Sequence, residues 1–245
     1  MDGEGGSGMA GGDGARDATT ERAAPVAGGT PSAAPDGADS AGAIEGLLEQ
    51  TGAHRIGHFR LTTGLHSDEF FLLARAFQYP AVLEHLGAAL AARLRAVLPP
   101  EVASGHPRRA AGPDTAHGAV VGPAMGGVLL AHAVARALGT RSLFAEKEAD
   151  GSMRLKRGFR LAPGEPVVVV EDVVTTGGSV RKTMEAVAAA GGRVVAVGAV
   201  VDRSGGRVAF GVPMVALLTR SAAVFRPEEC PLCARGVPLV APKEI

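Results

Sequence analysis

Glu171 and Asp172 close a run of four valines, and three residues on the chain reads Thr175-Thr176-Gly177-Gly178-Ser179. Small residues with hydroxyls, placed where a strand gives way to a helix, can turn several N–H groups toward one point, and the helix N-terminus favours an anion there. A plain strand-to-helix turn capped by a serine would use the same residue types. The two acids weigh against that simpler reading. Carboxylates that end a buried strand are costly unless they meet a ligand, a metal or a cation. The loop lacks the lysine of a GxxxxGK[ST] loop, and it is not GxGxxG. What fits is a ligand carrying a phosphate and, about 5–8 Å away along the strand, hydroxyls or a bound cation that need acceptors. A ribose 5-phosphate has that layout.

Other residues could do chemistry further along. Lys147, Arg154, Lys156 and Arg157 concentrate positive charge in a charged loop or hairpin, which could equally be a solvated surface. Arg203 follows a second valine-rich strand. Cys230 and Cys233 form a CPLC pair, half of a zinc site by spacing. With no other cysteine and no histidine near them in sequence, the expectation is a reduced pair, or a site shared across a dimer. The seven histidines are scattered, and His66 is expected to be an ordinary loop residue.

The elements that must hold these groups follow from pattern. Residues 43–53 predict a helix behind Ser40, and 58–77 give short strand-like runs with aromatics around a TTG turn. Leu83, Leu86, Leu90, Leu94 and Val97 recur at helical spacing over 81–100, which Pro99-Pro100 terminate. Residues 101–118 read as an exposed polar insertion. Then strand and helix alternate: strands at 119–122, 141–146, 166–172, 193–202 and 214–219, with helices at 126–139 and 179–192. Valine runs without alternation, separated by helices, indicate an α/β fold whose mainly parallel sheet is flanked by helices on both faces. The segment 44–80 is expected to form an N-terminal hood.

Composition sets the bounds. Apolar residues make up 46% of 245, enough for a sizeable core, whereas no Leu, Ile or aromatic residue precedes Ile44. Residues 1–43 are therefore expected to be a disordered low-complexity tail, and 44–245 the folded domain. Lys plus Arg and Asp plus Glu both number 25, so net charge offers no basis for a nucleic-acid or membrane partner. No apolar run approaches the ~18 residues that span a bilayer. Two cysteines and no apolar leader suggest a cytoplasmic protein.

VVVVEDVVTTGGS (167–179) resembles the 13-residue signature of type I phosphoribosyltransferases, with each part of the pattern in order. HFRLTTGLHSDEFF (58–71), VVGPAMGG (120–127) and VVDRSGG (200–206) are similar to segments of the orotate phosphoribosyltransferases, so the resemblance spans about 44–206. It implies the type I phosphoribosyltransferase fold and a transfer of ribose 5-phosphate from 5-phosphoribosyl 1-diphosphate to orotate, giving orotidine 5′-phosphate and diphosphate on the route to UMP. It implies Mg²⁺ carried by the substrate near Asp172, with no side chain ligating it directly, and a homodimer. Glu171 and Asp172 would hold the ribose, while Val173, Val174 and the loop from Thr175 through Thr176, Gly177 and Gly178 to Ser179 would bind the phosphoribosyl moiety. Lys147, Lys156 and Arg157 would meet the diphosphate. Arg203 would take the orotate carboxylate, where a planar fork binds bidentately and a lysine could not. Thr175, Phe70 and Phe71 would complete the base site, one of the phenylalanines doubling as core.

The chain departs from the family pattern at Thr62 and Gly126, where lysines are common, and at Glu146, where an arginine is. These departures bear on the diphosphate contacts. Two alternatives remain: transfer to another base, or a non-catalytic regulator that senses phosphoribosyl diphosphate.

Overall fold

Ser40 caps the first helix, its Oγ accepting from the Ala43 N–H at 3.2 Å. Helix α1 (Ala41–Gln50) thus reaches back into the segment assigned to the tail. The computed structural model describes residues 40–61, 63–103, 118–221 and 223–241, so the rest of the tail and most of the expected insertion at 101–118 lie outside the described residues.

After α1 come β1 (His54–Arg60) and β2 (His66–Phe71), an antiparallel hairpin. Short α2 (Ala74–Phe77) leads to α3 (Pro80–Arg95), with Pro80 in the first turn, where its missing N–H costs nothing. Leu86, Leu90 and Leu94 are fully buried. Val97 falls past the helix end and is 38% exposed, a correction to the predicted stripe. The helix stops at Arg95 because Pro99 and Pro100 disfavour helical geometry before them. Then follow α4 (Pro100–Ala103), β3 (Ala119–Pro123), α5 (Gly126–Leu138), β4 (Arg141–Lys147) and β5 (Met153–Leu155). The chain closes with β6 (Pro166–Val174), α6 (Gly178–Ala189), β7 (Arg193–Asp202), β8 (Met214–Thr219), β9 (Val224–Phe225) and α7 (Pro231–Ala234).

The main sheet runs β5-β4-β3-β6-β7-β8, parallel throughout except for the edge pair β4–β5. Val167 to Val170 are all fully buried and alternate between two cores. Val168 and Val170 pack with the α1, α3 and α5 side, Val167 and Val169 with the α6 side. Full burial of a valine is worth roughly 1.5–3 kcal/mol, so this one strand fixes the middle of the fold. Strand β6 runs two residues beyond the predicted end, because Val173 and Val174 pair with Val201 and Asp202 of β7. The chain leaves β3 toward β4 on one side and returns to β6 on the other, so the carboxyl ends of β3 and β6 flank a topological switch point.

A second sheet, β1-β2-β9, forms the hood. The C-terminal segment closes it: β9 pairs with β2, and Val240 bridges Phe59 of β1. This pairing overturns the expectation that the CPLC pair has no histidine nearby. The hairpin brings His58 and His66 together, and α7 lays Cys230 and Cys233 against them. His66 is a buried strand residue, not a loop residue.

Candidate active site

At the switch point lies an open cleft of about 450 Å³. Ala124 from the end of β3, Lys147 from the end of β4, Glu171, Val173 and Val174 from β6, the whole 175–179 loop and Lys182 of α6 line it. The acid, the phosphate-type loop and two cationic side chains therefore converge on one space.

The loop is built for close approach. Gly177 has φ +77°, a left-handed conformation, and a Cβ there would stand 2.8 Å from Val208 and Phe210. Only glycine fits both conditions. Helix α6 begins at the next residue, so its first N–H groups, which have no intrahelical partner, open toward the cleft. Thr175, Thr176 and Ser179 are exposed there.

Glu171 is buried, accepts from the Asp172 N–H at 3.2 Å, and has its pKa pushed up to about 9. Burial is the main cause and the neighbouring Asp172 carboxylate the second. Glu171 therefore holds a proton at neutral pH until a ligand changes its surroundings. Asp172 is absent from the cleft lining and turns instead toward the start of α5. A Cβ on Gly126 would stand 2.9 Å from Asp172 Oδ2. This supplies a reason for Gly126, one of the departures noted in the sequence: the carboxylate occupies the space that a side chain would need.

The cationic groups divide. Lys147 and Lys182 reach the cleft, and Lys182 also donates to the Gly151 carbonyl at 2.6 Å, tying α6 to the β4–β5 turn. Lys156 pairs with Glu148 at 3.0 Å. Arg157 pairs with Glu146 through two hydrogen bonds, at 2.7 and 3.1 Å, and holds that carboxyl below its ordinary range. Neither Lys156 nor Arg157 lines the cleft. Lys182 was passed over in the sequence; its signal is a lysine three residues into the helix after Ser179, hence one turn above the loop. Thr62 lies outside the described residues.

Arg203 leaves the end of β7, its N–H donating to the Val174 carbonyl at 2.8 Å. Its Nη2 donates to Ser67 Oγ at 3.1 Å and, more weakly, to the Glu69 carbonyl at 3.4 Å. Its Nε is buried and has no partner. Burial draws the guanidinium pKa down, with Glu69 and Asp68 acting in the opposite sense. Asp202 does not pair with it; that carboxylate accepts from the Ser204 and Gly206 N–H groups at 2.8 and 3.0 Å and shapes the turn. Phe71 is core, stacked on His54 with ring centroids 4.3 Å apart, while Phe70 is half-buried and packs on Phe59.

Comparison with known proteins bears directly on this site. Residues 112–210 match the phosphoribosyl transferase domain. Over 199 residues the chain is 48% identical to an orotate phosphoribosyltransferase of Pelotomaculum thermopropionicum, covering 81% of this chain and 95% of that one. A Heliobacterium modesticaldum orotate phosphoribosyltransferase is 50% identical over 198 residues, covering 81% and 91%. The chain belongs to the orotate phosphoribosyltransferase family. Among solved structures, the orotate phosphoribosyltransferase of Aeropyrum pernix superposes with a TM-score of 0.54 at 25% identity, over 72% of this chain and 93% of that one. An adenine phosphoribosyltransferase of Rhodothermus marinus reaches a TM-score of 0.50 at 20% identity, over 74% and 99%. The type I phosphoribosyltransferase fold is thus common to enzymes for different bases.

Proposed function

We propose that the chain is an orotate phosphoribosyltransferase, a pentosyltransferase that joins ribose 5-phosphate from 5-phosphoribosyl 1-diphosphate to orotate in UMP biosynthesis. The observation that carries this reading is the single cleft lined by Glu171, the 175–179 loop, Lys147 and Lys182. In it, the N–H groups and hydroxyls from Thr175 to Ser179 hold the 5-phosphate, with Val173 and Val174 forming the floor. Glu171 and Asp172 accept from the ribose hydroxyls. As diphosphate departs, positive charge develops on the ribosyl centre, and the Asp172 carboxylate at the end of β6 is placed to stabilise it, while Glu171, protonated in the free chain, holds the ribose.

Lys147 and Lys182 balance the charge of the diphosphate, so Lys182 takes the part that the sequence assigned to Lys156 and Arg157. Mg²⁺ fits this site as a cation carried by the substrate: a hard cation is held by phosphate oxygens, and the Asp172 side chain at the end of β6 offers an oxygen acceptor nearby without ligating it directly. Bound with the diphosphate near Asp172, it would neutralise the leaving group. Arg203, with its buried Nε unpartnered, offers a fork to the orotate carboxylate. Thr175 and Phe70 would complete the base site, and Phe71 supports Arg203, whose guanidinium lies 5.9 Å from its ring.

In this reading the catalytic domain includes α1 from Ala41 onward, acts as a homodimer and works in the cytoplasm, in keeping with cysteines that form no disulfide. Among the described residues, no helix is long and apolar enough to cross a membrane. The test is a Mg²⁺-dependent assay that follows loss of orotate absorbance on adding 5-phosphoribosyl 1-diphosphate. Turnover of uracil, adenine or hypoxanthine but not orotate would overturn the base assignment.

A further inference from the structure

We propose that His58, His66, Cys230 and Cys233 bind a structural Zn²⁺ ion that staples the C-terminal segment to the hood. The four ligand atoms come from three places in the chain: β1, β2 and the turn into α7. They all lie within 4.8 Å of one another. His58 Nε2 is 2.9 Å from His66 Nδ1, 3.4 Å from Cys230 Sγ and 3.7 Å from Cys233 Sγ, while Cys233 Sγ is 3.4 Å from His66 Nδ1. With Zn–N near 2.0–2.1 Å and Zn–S near 2.3 Å, a tetrahedral ion needs ligand separations of about 3.3 Å between nitrogens and about 3.6 Å between nitrogen and sulfur. The nitrogen–sulfur spacings, 3.4 to 3.7 Å, bracket their value, and the two nitrogens, at 2.9 Å, stand slightly closer than theirs.

Hydrogen bonding alone does not account for this convergence. His58 Nδ1 lies 2.8 Å from the Val237 carbonyl, and since a carbonyl only accepts, Nδ1 carries the proton. That leaves His58 Nε2 as a single lone pair, which can accept from one donor, yet three heteroatoms crowd around it. A cation among the four atoms satisfies all of them together. The Val237 carbonyl is also the outer partner that orients a ligating imidazole. Two thiolates and two neutral imidazoles balance the charge of Zn²⁺, which suits a cluster in which three of the four residues are buried. On binding, both thiols release their protons to solvent, and the His66 proton moves to its other ring nitrogen. The donor set N₂S₂ in tetrahedral spacing selects zinc over magnesium, which prefers oxygen. The site is separate from the substrate cleft.

The staple has a clear structural task. Among the described residues, the C-terminal segment offers a two-residue strand, a single turn Pro227–Glu229, the four-residue α7 and the Val240 bridge to β1, little apolar packing with which to hold itself in place. Yet its Ala223 carbonyl accepts from Ser67 Oγ at 2.9 Å, and Ser67 is the residue that receives Arg203. His66 is its direct neighbour.

The experiment uses the full untagged chain, purified without chelators and analysed for metal by mass spectrometry. Near one equivalent of zinc per chain is expected, falling to background in the Cys230→Ser/Cys233→Ser double variant. Because that variant also alters the packing of the C-terminal segment, the wild-type chain is reconstituted in parallel with Co²⁺ in place of zinc. A thiolate-to-cobalt charge-transfer band and intense tetrahedral d–d bands are expected. Stripping zinc should lower the melting temperature, with recovery on adding Zn²⁺ but not Mg²⁺. A zinc content near zero after reconstitution with reduced thiols, a Cys230–Cys233 disulfide in the freshly isolated chain, or a weak octahedral cobalt spectrum would each overturn the proposal. These readouts do not depend on turnover, so they stand apart from the assay for phosphoribosyl transfer.

Discussion

Arg203 reaches across from the end of the parallel sheet to donate to Ser67 in the hood, at 3.1 Å. The two residues stand 136 positions apart in sequence. That hydrogen bond joins the main sheet, whose carboxyl ends form the cleft, to the hood. It also aims a partly buried guanidinium whose Nε has no protein acceptor.

Replacing Arg203 with lysine should therefore affect orotate more than the ribose donor. Lysine keeps the charge but loses the fork, and a lost charge-assisted hydrogen bond in a buried site is worth about 1.5–3 kcal/mol. Steady-state kinetics should show the orotate KM rising roughly 10- to 100-fold, with the KM for 5-phosphoribosyl 1-diphosphate little changed. Equal increases for both substrates would argue against a role for Arg203 at the base.

Gly177→Ala tests the loop. The variant must place a Cβ at φ +77° and 2.8 Å from Phe210 and Val208. The backbone strain alone costs about 1–3 kcal/mol. Weaker binding of the ribose donor and a lower melting temperature are expected, with an unchanged melting temperature as the contrary result.

The cationic residues sort by position. Lys182→Ala removes a charge that lines the cleft, whereas Lys156→Ala breaks an ion pair with Glu148 at the surface, where such pairs are worth about 0–1 kcal/mol. Lys182→Ala should raise the KM for 5-phosphoribosyl 1-diphosphate, and Lys156→Ala should change it little. The reverse order in a side-by-side titration would return the diphosphate to the β4–β5 hairpin.

Glu171 makes stability depend on pH. Its folded pKa, about 9, lies above the ordinary 4.5, so between those values the folded chain keeps a proton that the unfolded chain has released. The stability this group contributes is complete below pH 4.5 and is lost as pH rises through about 9. Glu171→Gln mimics the protonated form and can still accept from the Asp172 N–H. The melting temperature of the ligand-free variant, relative to wild type, should climb as pH increases across that window. A constant difference would mean that Glu171 is ionised when folded.

The sequence reveals the half of the site that is local. Strand, acids, loop and helix lie within 166–189, and each part restricts the next through burial, backbone geometry and helix start. Lys147 stood out in the sequence as one of a cluster of positive charges, and it lines the cleft. The other half depends on contacts between distant segments. Ser67 as the partner of Arg203, and His58 with His66 beside the CPLC pair, follow from how β9 and Val240 dock on the hairpin, and no periodicity in either segment announces that. Lys156 and Arg157 look available in a charged run, but Glu148 and Glu146 engage them once β4 and β5 pair.

The hood sheet takes two strands from the start of the described chain and one from its end. During synthesis, β1 and β2 leave the ribosome long before β9, Cys230 and Val240. The parallel sheet can fold from near neighbours, but the hood closes only through pairings of very high sequence separation, which carry the largest loop-closure entropy. The hood is thus the last part of the chain to be completed, and a nascent chain can form its 175–179 loop and central sheet before the hood closes.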